Sequence, residues 1–253
     1  MLPKRAPSVS ILLAALLPVG APVRAQTLAI TGATVIDGTG KAPLSDGVVL
    51  ITDGRIAAVG RSGDVAIPSA ARRVEARGKY VIPGLMDANL HLMINIDVET
   101  LVKHEDRLHE IVLEAAQIAL KTGQTTVFDT WGPRAALVKA RDMINAGQAP
   151  GSRIYLAGNI IGFDGPLSAD FFGDAASHVS RAFSRRINET WEEGTGRKLL
   201  WMTPEEVRSV IREYARKQVD FLKYGASGHK DMNFVTFSPD SRRRSSKKAT
   251  GPG

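Results

Sequence analysis

The sequence predicts an α/β chain in two successive parts, a partial β-sandwich over residues 26–83 and then alternating strand and helix units over residues 84–240. Three observations carry this reading. Short β-branched runs separated by Gly-rich turns fill residues 27–83, the signature of small antiparallel sheets. Beyond Pro83 the apolar spacing changes from alternation to intervals of three, four and seven. Each helical stretch there is followed by a new β-branched run, the order that builds a parallel sheet.

Residues 1–25 read as a secretory signal peptide. Lys4 and Arg5 form a basic start, residues 10–19 an apolar middle too short to span a bilayer, and Val23-Arg24-Ala25 a small-residue cleavage site before Gln26. Export to the periplasm or medium follows, with no stable membrane span in the mature chain; the alternative is an uncleaved N-terminal anchor.

In the first part, residues 28–37, 47–52, 55–60, 71–76 and 80–82 read as strands. Asp53-Gly54 is a hairpin turn, because both residues tolerate the positive φ that a tight turn requires. In the second part, residues 98–120 read as one helix, with Leu101, Leu108, Val112, Ala115, Ala116 and Ala119 on its apolar face and Gly123 ending it. Residues 125–129 form a strand that ends on Asp129, read as a loop-capping carboxylate. A helix from Pro133 to Ala146 and a strand over residues 152–158 come next. Residues 159–200 are long, Gly-rich and mixed, with a helix expected around 175–186, and read as a loop over the site. Thr203-Pro204-Glu205-Glu206 is a helix start: Thr203 caps, Pro204 takes the first position and Glu206 completes a capping box. Val207, Val210, Ile211 and Tyr214 make the buried stripe of that helix. His104, His109 and His178 fall on polar helical surface and read as solvated.

Two stretches carry chemistry. In residues 78–93 an apolar run enters Pro83-Gly84, and a second short run then delivers Asp87, Asn89 and His91 at alternate positions. Alternate residues of a strand share a face. Three polar side chains on one face of an apolar strand need a metal or a polar cleft to satisfy them. The other reading is that Asp87 and Asn89 are turn residues and His91 a satisfied core histidine. Residues 219–228 read as a further strand with Lys223 near its end; a lysine within an apolar strand must snorkel, pair or lose its charge. A salt-bridged structural lysine is the alternative there. His229 follows and reaches toward the same cleft as a candidate substrate contact.

Pro83-Gly84-Leu85-Met86-Asp87 with Asn89 and His91, the Thr125-Thr126-Val127 strand after Gly123, and Asp220-Phe221-Leu222-Lys223 before Ser227-Gly228 resemble, in the right order, three landmarks of the amidohydrolase superfamily. The branch most similar is the one with imidazolonepropionase-like and prolidase-like enzymes. The resemblance implies that the second part is the first half of a TIM-like (β/α)8 metal-dependent hydrolase barrel, with the partial sandwich before it. It also implies one or two divalent metals, zinc above all, bound by His91 and bridged by a carbamylated Lys223. Asn89 stands where the family has its first histidine, and an amide oxygen is a weaker zinc ligand than imidazole. The family's later ligands and its catalytic aspartate have no counterpart in these 253 residues, so no catalytic residue is assigned. The implied activity is hydrolysis of C–N bonds in amides, cyclic amides or dipeptides through a metal-activated water. The alternative is a non-catalytic fragment or pseudoenzyme. A binding protein built on residues 159–200 has no supporting motif.

Composition narrows the field further. Apolar residues make up 43% of the chain, enough for a sizeable core, and cysteine is absent, which excludes disulfides, thiolate metal sites and a Cys nucleophile. The net charge of +7 resides in the ends: residues 1–25 carry +3 and residues 241–253 carry +5, which leaves the body at −1. That distribution argues against nucleic acid as a partner; a small-molecule or dipeptide substrate is what the resemblance implies. Residues 241–253 lack periodicity and read as a basic disordered tail. A one-base shift within GC-rich codons from Arg244 would restore a helix-like sequence, so a frameshift product and a natural tail both stand.

Overall fold

The computed structural model describes residues 27–94, 97–228 and 237. The stretches read above as a signal peptide and as a basic tail, and His229, lie outside the described residues. The chain divides into two compact units after Pro83.

In the first unit the described residues form one five-stranded sheet. Its strands are β1 (Leu28–Val35), β2 (Leu44–Thr52), β3 (Arg55–Arg61), β4 (Arg72–Glu75) and β5 (Tyr80–Val81). The order is β3-β2-β1-β4, with β5 also on β1. β2 and β3 pair antiparallel with Thr52 opposite Arg55, so the loop is the two residues Asp53 and Gly54. Their φ values of 52° and 71° are those of the turn that matches the right-handed twist of a hairpin. Ala29, Ala33, Val48 and Val49 are buried, whereas Ile56, Val59 and Tyr80 are exposed.

The second unit is built on three parallel strands in the order β6-β7-β8: β6 (Leu85–Leu90), β7 (Gln124–Asp129) and β8 (Arg153–Leu156). Helices cross between them. The stretch expected as one helix over 98–120 is two, α1 (Val98–Lys103) and α2 (Leu108–Lys121). Asp97 caps α1 by accepting from the Thr100 amide, and His104 ends it, its amide and its Nδ1 both turned onto the Thr100 carbonyl. Leu101 and Leu108 are both buried across the break, so the seven-residue spacing persists although the helix does not. α3 (Arg134–Asn145) follows β7.

Within 159–200, a 3-10 turn at Ala175–His178 precedes α4 (Arg181–Glu192), later than the helix expected at 175–186. Ser180 sets the start by accepting from the Phe183 amide. Phe183, Ile187 and Trp191, each four residues on from the last, face the core. α5 (Pro204–Ala215) begins with the expected capping box, Glu206 accepting from the Thr203 amide at 2.7 Å. Val207, Ile211 and Tyr214 are buried on it, and Val210 packs beside them. Thr203→Ala is expected to lower the unfolding free energy by about 1 kcal/mol in urea titration, since the Glu206 amide loses its acceptor and the Glu206 carboxylate loses one of its two donors.

The strand expected over 219–228 is shorter. Its two-residue ladder is β10 (Lys223–Tyr224), parallel to β9 (Ile160–Ile161). Asp220 replaces the rest: its amide donates to the Leu156 carbonyl at 2.8 Å and its carboxylate accepts from the Leu156 amide at 2.9 Å. A side chain thus completes the pairing at the end of β8, and the segment reaches β9 already in register.

Candidate functional site

Asn89, His91, Thr130 and Lys223 meet at the C-terminal ends of β6 and β7, beside β10. The parallel pairing of Leu90 with Asp129, and the Thr130 amide donating to the Leu90 carbonyl at 3.0 Å, set the two strand ends side by side. Asp87 does not join them. The β6 register shifts between Asp87 and Leu90, and the Asp87 carboxylate accepts from the Asn89 amide at 3.0 Å. The bulge turns Asp87 back onto its own strand and breaks the simple alternation expected of Asp87, Asn89 and His91.

Thr130 is the hub. Its hydroxyl donates to Asn89 Oδ1 at 2.6 Å, accepts from Lys223 Nζ at 3.0 Å and lies 3.4 Å from His91 Nδ1. A threonine hydroxyl has one proton and two lone pairs. With the proton given to Asn89 and one lone pair taken by Lys223, the His91 ring meets it as a donor through Nδ1–H. The neutral imidazole then has Nε2 as its basic nitrogen, the tautomer a metal-binding histidine needs. Burial, and secondarily the charge of Lys223, hold the His91 pKa below its usual value, which favours that neutral form. Burial likewise lowers the Lys223 pKa, opposed by the charge of Asp129.

Asp129, fully buried at the end of β7, stands behind this cluster. Its carboxylate accepts from the Leu92 amide at 2.7 Å and the Trp131 amide at 3.0 Å. It therefore ties the residue after His91 to the residue after Thr130, the loop-capping role read from the sequence. Burial raises its pKa to about 7, against the lowering effect of the two amides and of Lys223. Trp131 completes the wall, its ring edge-on to His91 at 5.9 Å and its Nε1 donating to Asn159 Oδ1 at 3.2 Å.

Among the described residues no three His, Cys, Asp or Glu side chains gather to hold a metal. The donor set that does gather is an imidazole, an amide oxygen and an amine. It suits part of the coordination of a divalent ion if the amine sheds its proton. Sequence reasoning did not find Thr130; its signal was its place directly after Asp129, at the end of the second landmark strand.

No family model matches the chain. Among solved structures, it resembles a molinate hydrolase with a TM-score of 0.83 and 37% identity, over 90% of this chain and 53% of that one. A phenylurea hydrolase B has the same TM-score at 36% identity, over 88% of this chain and 53% of that one. A 5-methylthioadenosine/S-adenosylhomocysteine deaminase of Symbiobacterium thermophilum is 27% identical over 197 residues, 70% of this chain and 42% of its own length. The chain belongs to the amidohydrolase superfamily. It spans about half the length of these amidohydrolase relatives. The superfamily expected from the three landmarks is the one found. The two landmarks at the ends of β6 and β10 are those whose side chains converge on Thr130.

Proposed function

We propose that this chain carries part of the active centre of a metal-dependent hydrolase of C–N bonds, acting on small amides, cyclic amides or dipeptides. The observation that carries it is the convergence of Asn89, His91 and Lys223 on one threonine hydroxyl. In this reading β6, β7, β8 and the β9–β10 pair are the first strands of a (β/α)8 barrel, and residues 26–83 contribute one layer of a sandwich. Residues 1–25 direct export to the periplasm or medium.

His91 Nε2, Asn89 Oδ1 and Lys223 would hold a divalent ion, zinc above all, with ligands from outside this set completing it. Such an ion polarises a carbonyl and acidifies a bound water. Lys223 contributes best as a carbamate: its amine, deprotonated more readily because it is half-buried, forms an N–C bond to carbon dioxide and releases a proton. The resulting anion offsets the cation's charge. Thr130 holds Asn89 and orients the His91 ring, and Asp129 fixes both strand ends behind them.

A second reading, a non-catalytic relative, is favoured by one observation: Asn89 occupies a ligand position and leaves His91 and Lys223 as the two strong donors, where a catalytic zinc takes three protein ligands. Metal content and amide hydrolysis, measured on the purified chain with zinc or manganese and bicarbonate, test both readings. We expect zinc retention that rises with bicarbonate and falls at least tenfold in Lys223→Ala and His91→Ala, and at most weak turnover by the 253 residues alone. Unchanged metal content in Lys223→Ala would make Lys223 structural and sink the metal reading. Robust turnover would exclude the non-catalytic one.

A further inference from the structure

Leu90, Asp129 and Leu156 form a row across β6, β7 and β8, since Leu90 pairs with Asp129 and Asp129 with Leu156. Asp220 extends the row by one place. Its amide donates to the Leu156 carbonyl at 2.8 Å, and its carboxylate accepts from the Leu156 amide at 2.9 Å. The residues that follow Leu90 and Asp129 in the chain, His91 and Thr130, belong to the site. Lys223 follows Asp220 after two intervening residues, Phe221 and Leu222. The height at which Asp220 is fixed on the sheet is therefore the height from which the chain runs on to the lysine.

That placement has little tolerance. Lys223 Nζ donates to the Thr130 hydroxyl at 3.0 Å. A strand advances about 3.3 Å per residue, and a shift by one residue turns its side chains to the opposite face. Other restraints on this register are loose. The backbone ladder of β10 is two residues long. Leu222 and Tyr224 both pack against one cluster that includes Ile161 and Leu199, and Phe221 meets Phe128 ring to ring at a tilted 6.0 Å. Asp220, in contrast, makes two hydrogen bonds to a single residue. It is also backed from α3: Arg141 Nη1 lies 3.6 Å from its carboxylate and donates to the Gln218 carbonyl at 3.0 Å. Arg134, on the same helix, donates to the Lys217 carbonyl at 2.8 Å. Gln218 has a φ of 64°, a conformation that a non-glycine residue keeps only where its surroundings hold it.

We infer that Asp220 is a positioning residue for Lys223: its paired hydrogen bonds to Leu156 set the height and the face at which the lysine meets Thr130. That Lys223 then serves a metal rests on the hydrolase reading above; that Asp220 delivers it to Thr130 does not.

The test uses the 253-residue chain with chelator present, so that geometry is read without metal or turnover. Threonine methyl groups are labelled with carbon-13, and the Thr130 methyl is assigned through Thr130→Ser. The readout is its nuclear Overhauser contact with the Lys223 side chain, identified by its absence in Lys223→Met. A residue that merely stabilised the fold would leave this contact intact in any variant that folds. The contact is expected to be lost in Asp220→Ala and kept in Asp220→Asn, whose amide oxygen still accepts from Leu156. Asp220→Glu keeps the charge but moves the acceptor out by one methylene; it should weaken the contact, and it carries the test where the alanine variant does not fold. Full contact in a folded Asp220→Ala, or in Asp220→Glu where the alanine variant is unfolded, would overturn the proposal and leave the register to Phe221. Loss of the contact in Asp220→Asn would overturn it as well, since the charge opposite Arg141 and not the pairing with Leu156 would then place the lysine. Zinc retention with bicarbonate, measured on the same variants without chelator, separates the two readings. It should fall at least tenfold in Asp220→Ala, as in Lys223→Ala. An Asp220-dependent contact in a chain whose zinc content ignores both residues would uphold the positioning role and sink the hydrolase reading alone.

Discussion

Asp129→Ala is expected to destabilise the second unit by about 4 kcal/mol in mild acid, because two buried amides lose their acceptor at about 1–3 kcal/mol each. The amides are those of Leu92 and Trp131, and among the described residues neither has another acceptor. The effect should shrink as pH rises. The folded pKa of Asp129, about 7, is above the ordinary carboxylate value of 3.8. Between those two pH values the folded chain holds the proton and the unfolded chain has lost it. The contribution of Asp129 to the parent's stability therefore falls as pH rises through that window, by up to about 4 kcal/mol, and is level outside it. Asp129→Ala has no such titration, so its unfolding curve should approach that of the parent near pH 8. Urea titrations at pH 4.5, 6 and 8 read both curves. A variant whose deficit is constant across that range would show that Asp129 is ionised in the fold throughout, held by its amides and Lys223 against burial. Because Asp129 joins the segments that carry His91 and Thr130, the same substitution should also weaken zinc retention.

What the sequence disclosed and what it hid divide along the range of the interactions. The Asp53-Gly54 hairpin, the Thr203–Glu206 capping box and the β7 strand were legible because each is decided within a few residues by φ preference, side-chain reach or branching. The break between α1 and α2 was not, because Leu101 and Leu108 preserve the apolar interval that a single helix would have. The shortness of β10 was hidden because Asp220, an ordinary loop residue in the sequence, supplies hydrogen bonds that a strand would. Of the site, His91 and Lys223 stood out as polar groups in apolar strands. Thr130 did not, since nothing in a lone threonine after a strand announces three partners from two other strands. Trp191 was equally silent: its four-residue spacing from Ile187 reads as core, and only the fold reveals that its N–H has no partner among the described residues.

Gly158→Ala is expected to lower stability by about 3 kcal/mol, through a strained backbone and a steric overlap acting together. Gly158 has a φ of +73°, where a side chain is disfavoured, and a Cβ there would overlap the Tyr214 hydroxyl. That hydroxyl is structural. It accepts from the Asn159 amide at 2.8 Å and donates to the Ala157 carbonyl at 3.2 Å, and burial raises its pKa to about 12, so it stays protonated and able to donate at any physiological pH. Asn159 in turn holds the Trp131 indole and donates to the Phe163 carbonyl at 2.8 Å. Pushing Tyr214 aside therefore loosens Trp131, the wall beside His91. Tyr214→Phe alone should cost about 1–3 kcal/mol, because it leaves the Asn159 amide unpaired. The double variant should cost less than the two single losses added, by at least about 1 kcal/mol, since the overlapping oxygen is then gone. A double-mutant cycle by urea unfolding measures that coupling. Strict additivity would assign the whole loss to backbone strain at Gly158 and remove Tyr214 from the chain of contacts that positions Trp131.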